Sequence, residues 1–235
     1  MKRIRFYFIL IVAVALTHCS DEPGNLTDAP IISNTLALNV VVENVPADFY
    51  TYAEIDVTTD GLSGIGVPIT FFTDKGVFSN NSDTYTLTIT EGQSAKIFLK
   101  SRKAELTRVT ASQNGNVLTD AYITFTNSYP EQILVDTETN VLQALYTSHL
   151  SMSAELVKLN GFPSDGQIVH YYDSIPTAQG GSVGTFLNRT PSNQEGVSTA
   201  DYFIQDTTYH GFVYLKAKVI TDSQPVIGLG LIYIE

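Results

Sequence analysis

Apolar and polar residues alternate along much of this chain with a period of two rather than 3.6. Thr84-Tyr85-Thr86-Leu87-Thr88-Ile89-Thr90 and Ala121-Tyr122-Ile123-Thr124-Phe125-Thr126 each set an apolar face against a hydroxyl-rich one, the pattern of half-buried strands. The runs are short and are punctuated by Asp60-Gly61, Asn114-Gly115 and Asp165-Gly166, dipeptides suited to tight turns. Past the first eighteen residues no window sustains a capped apolar stripe of helical period. Thirteen Tyr and twelve Phe, with abundant Val, Ile and Thr, lean the same way, because aromatic and β-branched side chains fit a pleated surface. The pattern predicts an all-β protein of sandwich type.

The alternation repeats at a larger scale. Gly66-Val67-Pro68-Ile69-Thr70-Phe71-Phe72-Thr73-Asp74 is followed by Gly76-Val77-Phe78. About one hundred residues later, Gly166-Gln167-Ile168-Val169-His170-Tyr171-Tyr172-Asp173 is followed by Gly184-Thr185-Phe186. Each half then places a glycine, Gly92 or Gly196, before an apolar strand, follows it with a strand ending at Ala111 or Ala217, and closes on an aromatic strand around Phe125 or Tyr233. Five landmarks in one order imply tandem copies of one domain.

These landmarks resemble the bacterial Ig-like domains of the invasin and intimin type, whose strands read G-x-x-V-x-F, then G-x-F, then G-x-A/S-x-x-x-L, then a strand ending V-x-A. The resemblance spans roughly Leu36 to Phe125 and Gln132 to Glu235. It implies two tandem Ig-like β-sandwich domains, 35–130 and 131–235, and carries no binding residue with it, since the landmarks are core and turn positions. The second copy departs from the first in a long loop, Ser174 to Val183.

The N-terminus reads differently. Lys2, Arg3 and Arg5 precede an uncharged apolar run from Phe6 to Leu16, the form of a secretory signal peptide over 1–18, too short to span a bilayer. The only cysteine, Cys19, follows at once. Leu16-Thr17-His18-Cys19 resembles a bacterial lipobox, although His18 stands where Gly, Ala or Ser is usual. The resemblance implies a diacylglycerol on Cys19, which would anchor the chain to a membrane through its acyl chains and leave no thiol for a disulfide. Ser20, Asp21 and Glu22 resemble the acidic export signal of Bacteroidetes surface lipoproteins. Residues 19–34 then read as a flexible tether. The implied location is the outer membrane, surface-exposed, with a periplasm-facing placement as the alternative.

Charge narrows the partners. Removing residues 1–18 removes three basic residues and no acid, so the mature charge is 10 minus 24, or −14, which disfavours nucleic acid and anionic membrane surfaces. The sequence has no G-x-S-x-G, no H-E-x-x-H, no phosphate loop and no cysteine ligand set, so neither catalysis nor a cofactor is expected. His149, His170 and His210 are scattered, and Asp56, Asp60 and Asp74 lack the alternation of a calcium loop. Asp173-Ser174-Ile175 and Asp206-Thr207-Thr208 resemble the three-residue O-glycosylation acceptor of Bacteroidetes, which marks Ser174 and Thr207. Tyr171, Tyr172 and Tyr209, with Tyr202, are the candidates for a sugar-stacking loop. The chain therefore reads as a non-enzymatic envelope lipoprotein serving as a stalk, adhesin or protein-interaction module. The alternative is a glycan-binding accessory of a surface polysaccharide-uptake system, and the protein or glycan partner is unknown.

Overall fold

The computed structural model describes residues 36–59, 66–90, 94–177 and 181–235. Cys19, Ser20, Asp21, Glu22, the Asp60-Gly61 turn and Gly92 lie outside the described residues. Among the described residues there are strands and no helix. One sheet pairs β1 (Leu36–Val40), β3 (Ala53–Thr59), β7 (Ala95–Lys100) and β5 (Val77–Phe78) in that order. The sheet facing it runs β2 (Asn44–Pro46), β9 (Asn116–Thr126), β8 (Leu106–Gln113), β4 (Val67–Thr73), β6 (Thr84–Ile89). The remaining strands repeat the scheme. β10 (Gln132–Thr137), β12 (His149–Val157), β15 (Val197–Ile204) and β14 (Gly184–Leu187) form one sheet, and β11 (Val141–Leu142), β17 (Val226–Ile234), β16 (Gly211–Val219) and β13 (His170–Ser174) form the other.

In immunoglobulin terms each half sets an A-B-E-D sheet against a sheet containing G, F and C. In both halves a short A-strand segment crosses sheets and pairs in parallel with the last strand, β2 with β9 and β11 with β17. The chain is thus two tandem Ig-like sandwiches, and the five repeated landmarks fall on topologically equivalent strands. Phe71 and Tyr171 both point inward from strand C, and Phe78 and Phe186 from strand D. Asn114-Gly115 closes the β8–β9 hairpin with φ of 49° and 82°, as a two-residue turn of type I′ requires.

Each sandwich has its own core. Ile55, Ile69, Phe71, Phe78, Leu99, Ile123 and Phe125 fill the first; Leu150, Met152, Phe186, Tyr202, Leu215 and Ile232 fill the second. Burying a side chain of this size contributes about 1.5–3 kcal/mol. With a single cysteine in the chain, no disulfide within it braces the two sandwiches. They differ at one edge: β6 covers β4 in the first, whereas β13 is itself an edge in the second.

Candidate functional site

Three features stand apart from the shared fold: the junction of the two sandwiches, the loop after β13, and the outer face of the β11-β17-β16-β13 sheet. Both sandwiches belong to one compact unit, Ile32–Glu235, and the segment 161–167 between β12 and β13 joins them. Its backbone donates from Phe162 N to Asp48 O at 2.9 Å, from Ser164 N to Ser128 O at 2.9 Å and from Asp165 N to Arg102 O at 2.7 Å. The buried Ser164 hydroxyl donates to Ala47 O (3.2 Å) and accepts from Ser128 N (2.8 Å). Arg102 Nε donates to Asp165 Oδ1 at 3.1 Å, with side-chain exposures of 16% and 10%, and its guanidinium lies 4.2 Å from the centre of the Phe162 ring. Gly161 holds φ +76°, and a Cβ there would stand 2.6 Å from Asp48 O. On the other side of this contact, Asp48 Oδ1 accepts from Tyr50 N and Thr51 N while its other oxygen accepts from the Thr51 hydroxyl, fixing loop 47–51.

The loop after β13 is tied down by one carboxylate. Asp173 accepts from the Ser182 hydroxyl (2.5 Å), Val183 N (2.7 Å), Gly184 N (2.9 Å) and the Tyr202 hydroxyl (2.8 Å). Tyr202 has no exposed surface and packs on Phe186 at 4.9 Å, which in turn packs on Tyr171 at 5.6 Å. Burial raises the Tyr202 hydroxyl far above the ordinary phenol range, and the neighbouring Asp173 carboxylate adds to it. Burial also raises Tyr171, whose hydroxyl donates to Ser198 Oγ at 2.8 Å.

The tyrosines proposed for a sugar platform therefore do not converge. Tyr171 and Tyr202 are core residues, because strand alternation turns them inward, while Tyr172 points outward from β13. Tyr209 stands in the turn before β16, half-buried, with its hydroxyl donating to Phe212 O at 2.8 Å. Ser174 ends the edge strand β13, opposite Tyr214. Thr207 is half-buried in a turn where Asp206 accepts from both Thr208 N and the Thr208 hydroxyl.

On the outer face of the same sheet, Lys216 lies 5.5 Å from the Tyr172 ring centre and 6.0 Å from that of Tyr214, and Lys218 lies 5.7 Å from Tyr172. Beside them β17 presents Ile227, Leu229, Leu231 and Tyr233, which are 39–58% exposed. Nothing in the period-two pattern singles this column out, because β17 is apolar on both faces.

The clefts among the described residues are open. One of about 580 Å³ at the junction is lined by Phe49, Lys75, Arg102, Lys103, Glu105 and Asp165; another, of about 310 Å³, by Tyr129, Gln167, Ile168, His170 and Ile220. Neither joins a nucleophile to a base within hydrogen-bonding reach. Among the described residues no group of three or more His, Cys, Asp or Glu side chains is placed to hold a metal ion, and His149 instead stacks on Phe203 at 5.3 Å.

No protein-family model and no curated protein matches the chain. Among solved structures it is similar to the D0-D1 domains of intimin, with 17% identity over 84% of this chain and 97% of that one and a TM-score of 0.34. The D00-D0 domains of intimin are similar at 15% identity, over 85% of this chain and 99% of that one, again with a TM-score of 0.34. A glycosyl hydrolase family 2 member from Bacteroides cellulosilyticus shows 12% identity and a TM-score of 0.34; 82% of this chain is covered, but only 24% of the hydrolase. The fold rests on the strand pairing described above, not on these likenesses.

Proposed function

We propose that this chain is a non-enzymatic cell-envelope lipoprotein, anchored through a lipid on Cys19, whose two sandwiches act as a rigid stalk or interaction module displayed at the outer membrane. The junction carries the reading. A loosely linked pair of sandwiches would leave the second free to swing, since contacts between domains of one chain are by default small and mobile. Here three backbone hydrogen bonds, the buried Ser164 hydroxyl and the Arg102–Asp165 pair couple the sandwiches through one short segment. That arrangement suits a spacer which holds a surface at a fixed place. The basic and apolar N-terminus, the position of Cys19 and the acidic Ser20-Asp21-Glu22 that follows support the address. Ser174 and Thr207 are the proposed O-glycan acceptors, to be checked by intact mass of the native protein.

Protease shaving of intact cells tests the placement. The wild-type chain should be released from the surface. Cys19→Ala should lose membrane attachment, and the double change of Asp21 and Glu22 to Ala should leave the protein protected inside. Protection of every lipidated form would place the sandwiches on the periplasmic side. A wild-type Cys19 found unmodified by mass spectrometry would refute the anchor.

A further inference from the structure

The two sandwiches supply an internal control for what strand G needs on its outer face. In the first, β9 turns Asp120, Tyr122 and Thr124 outward opposite Thr110, Arg108 and Leu106 of β8, and Thr110 donates to Asp120 at 2.6 Å. In the second, the equivalent positions on β17 are Ile227, Leu229, Leu231 and Tyr233, opposite Lys218, Lys216, Tyr214 and Phe212. The fold thus tolerates a mixed face here, with Asp120, Thr124, Thr110 and Arg108 beside an exposed Leu106 and Tyr122, and an unbroken apolar column on this strand is not a requirement of the sandwich. Phe212 packs edge-on to Tyr233 at 5.1 Å and is itself 53% exposed, and Val141 on β11 extends the patch at 46%. These six side chains leave roughly 600 Å² bare, the upper end of what a monomer exposes in one patch.

Charge marks the same face. The chain carries 24 acids against 13 basic residues, yet none of the paired outward positions from Ile227 to Tyr233, or across β16 and β13, is acidic. Lys216 and Lys218 form no ion pair among the described residues, which they share with Lys100, Lys103, Arg108 and Arg189. The two lysines rest on tyrosine rings instead.

We propose that a second copy of this chain docks on this face, sheet against sheet through β17. The column is self-complementary about Gly230. A two-fold axis lying between the sheets and crossing β17 at that residue lays Leu229 on Leu231 of the second copy and Ile227 on its Tyr233. Through the β16–β17 register, the same operation sets Lys216 over Tyr214 of the second copy and Lys218 over its Phe212. Every cation then meets an aromatic ring rather than another cation, a favourable contact once water is excluded. Such isologous contacts are the commonest route to a dimer. With the flanking Tyr172, Tyr214 and lysine stems the face approaches the roughly 800 Å² per partner of a standard stable interface. The reverse side of the strand is already taken, since Ile133 and Val135 of β10 pack against Gly228 and Gly230.

Sedimentation velocity of the full-length chain in detergent, corrected for bound detergent, tests this. The wild-type chain should be a dimer at micromolar concentration. Leu229→Glu combined with Leu231→Glu should weaken it by about a hundredfold or more, as expected for charges driven into the centre of an interface, with the circular dichroism unchanged. Leu106→Glu, on the corresponding face of the first sandwich, should leave the dimer intact. A wild-type chain that stays monomeric at about 100 μM, or a dimer indifferent to the two glutamates, overturns the proposal. Should the paired glutamates unfold the chain, Leu229→Cys in a Cys19→Ser background reads the same contact. A short bismaleimide should then link two copies at Leu229→Cys but not at Leu106→Cys, and failure to link at Leu229→Cys overturns the proposal.

Discussion

Changing Gly161 to Ala tests the junction without touching either core. The residue sits at φ +76°, where adding a Cβ costs about 1–2 kcal/mol for the left-handed backbone alone. The new methyl would also stand 2.6 Å from Asp48 O and 2.8 Å from Tyr50 Cβ. Neither is the end of a flexible side chain, so relief must come from moving loop 47–51 away from segment 161–167, at the 1–3 kcal/mol typical of overpacking. The total is about 2–5 kcal/mol. Gly115→Ala is the matched control: it has φ +82° with no atom within 4 Å of the added Cβ, so it carries the backbone cost alone. Guanidinium unfolding followed by tyrosine near-ultraviolet circular dichroism should show the Gly161 variant less stable than the Gly115 variant by about 1–3 kcal/mol. Amide exchange should locate the loss, with protection falling at Phe162, Ser164 and Asp165, whose N–H groups cross the junction, and persisting in β12 and β16. Equal destabilisation in the two variants, with those three amides as protected as before, would refute the coupling of the sandwiches through this segment.

Other consequences can be measured on the same protein. A double-mutant cycle of Arg102→Ala and Asp165→Ala should give a coupling of roughly 1–3 kcal/mol, because both side chains are largely out of water; a coupling below about 0.3 kcal/mol would make the pair incidental. Asp173→Asn leaves one acceptor oxygen for four donors and turns an NH₂ toward some of them, so the melting temperature should fall and amide exchange at Val183 and Gly184 should rise; an unchanged melt would show that the loop does not depend on this carboxylate. Tyr171 and Tyr202 have folded-state values above the unfolded phenol value of about 10. The folded state therefore holds their protons more tightly, so this stability is fully present below about pH 10 and is lost as pH rises through the folded values. Absorbance at 295 nm should show two phenols ionising only as the circular dichroism collapses; ionisation of every tyrosine in a still-folded chain would contradict their burial.

Sequence periodicity located the strands well where one face meets water. The Thr84–Thr90 alternation became β6, and Ala121–Thr126 became the end of β9. The landmarks survived where they are steric: Phe71 and Tyr171, or Phe78 and Phe186, fill equivalent places in two cores, whereas the last pair differs, Phe125 being buried and Tyr233 39% exposed. Grouping Tyr171 with Tyr172 failed for a reason visible in the sequence itself, since neighbours on a strand face opposite ways. The junction was illegible because it joins loop residues far apart in the chain, Arg102 to Asp165 and Ala47 to Ser164, and such contacts have no period. The column on β17 was hidden differently. Gly228, Gly230, Ile232 and Ile234 face inward while Ile227, Leu229, Leu231 and Tyr233 face outward, so the strand reads as apolar throughout, like one buried on both sides.

The second sandwich has no counterpart of β6 among the described residues, and this decides which of its surfaces a partner can use. In the first sandwich β6 covers the edge of β4 along the register from Val67 to Phe72, so no donor row of β4 is open there. In the second, β13 keeps a free edge, and strand addition would be the obvious alternative to face-to-face docking. That edge is poor. It is five residues long, it ends two residues before Pro176, and Asp173 binds the following loop against β14. Shortness, proline and a tied loop are the devices by which sheets discourage edge pairing. The outer face has no such protection, for its apolar column runs the full length of β17, about 20 Å from Ile227 to Tyr233. A partner that gains most from burying apolar area will therefore take the face and leave the edge alone. Tyr172→Ala, which trims only the flank of that face on β13, should then weaken self-association far less than a substitution at Leu229 or Leu231.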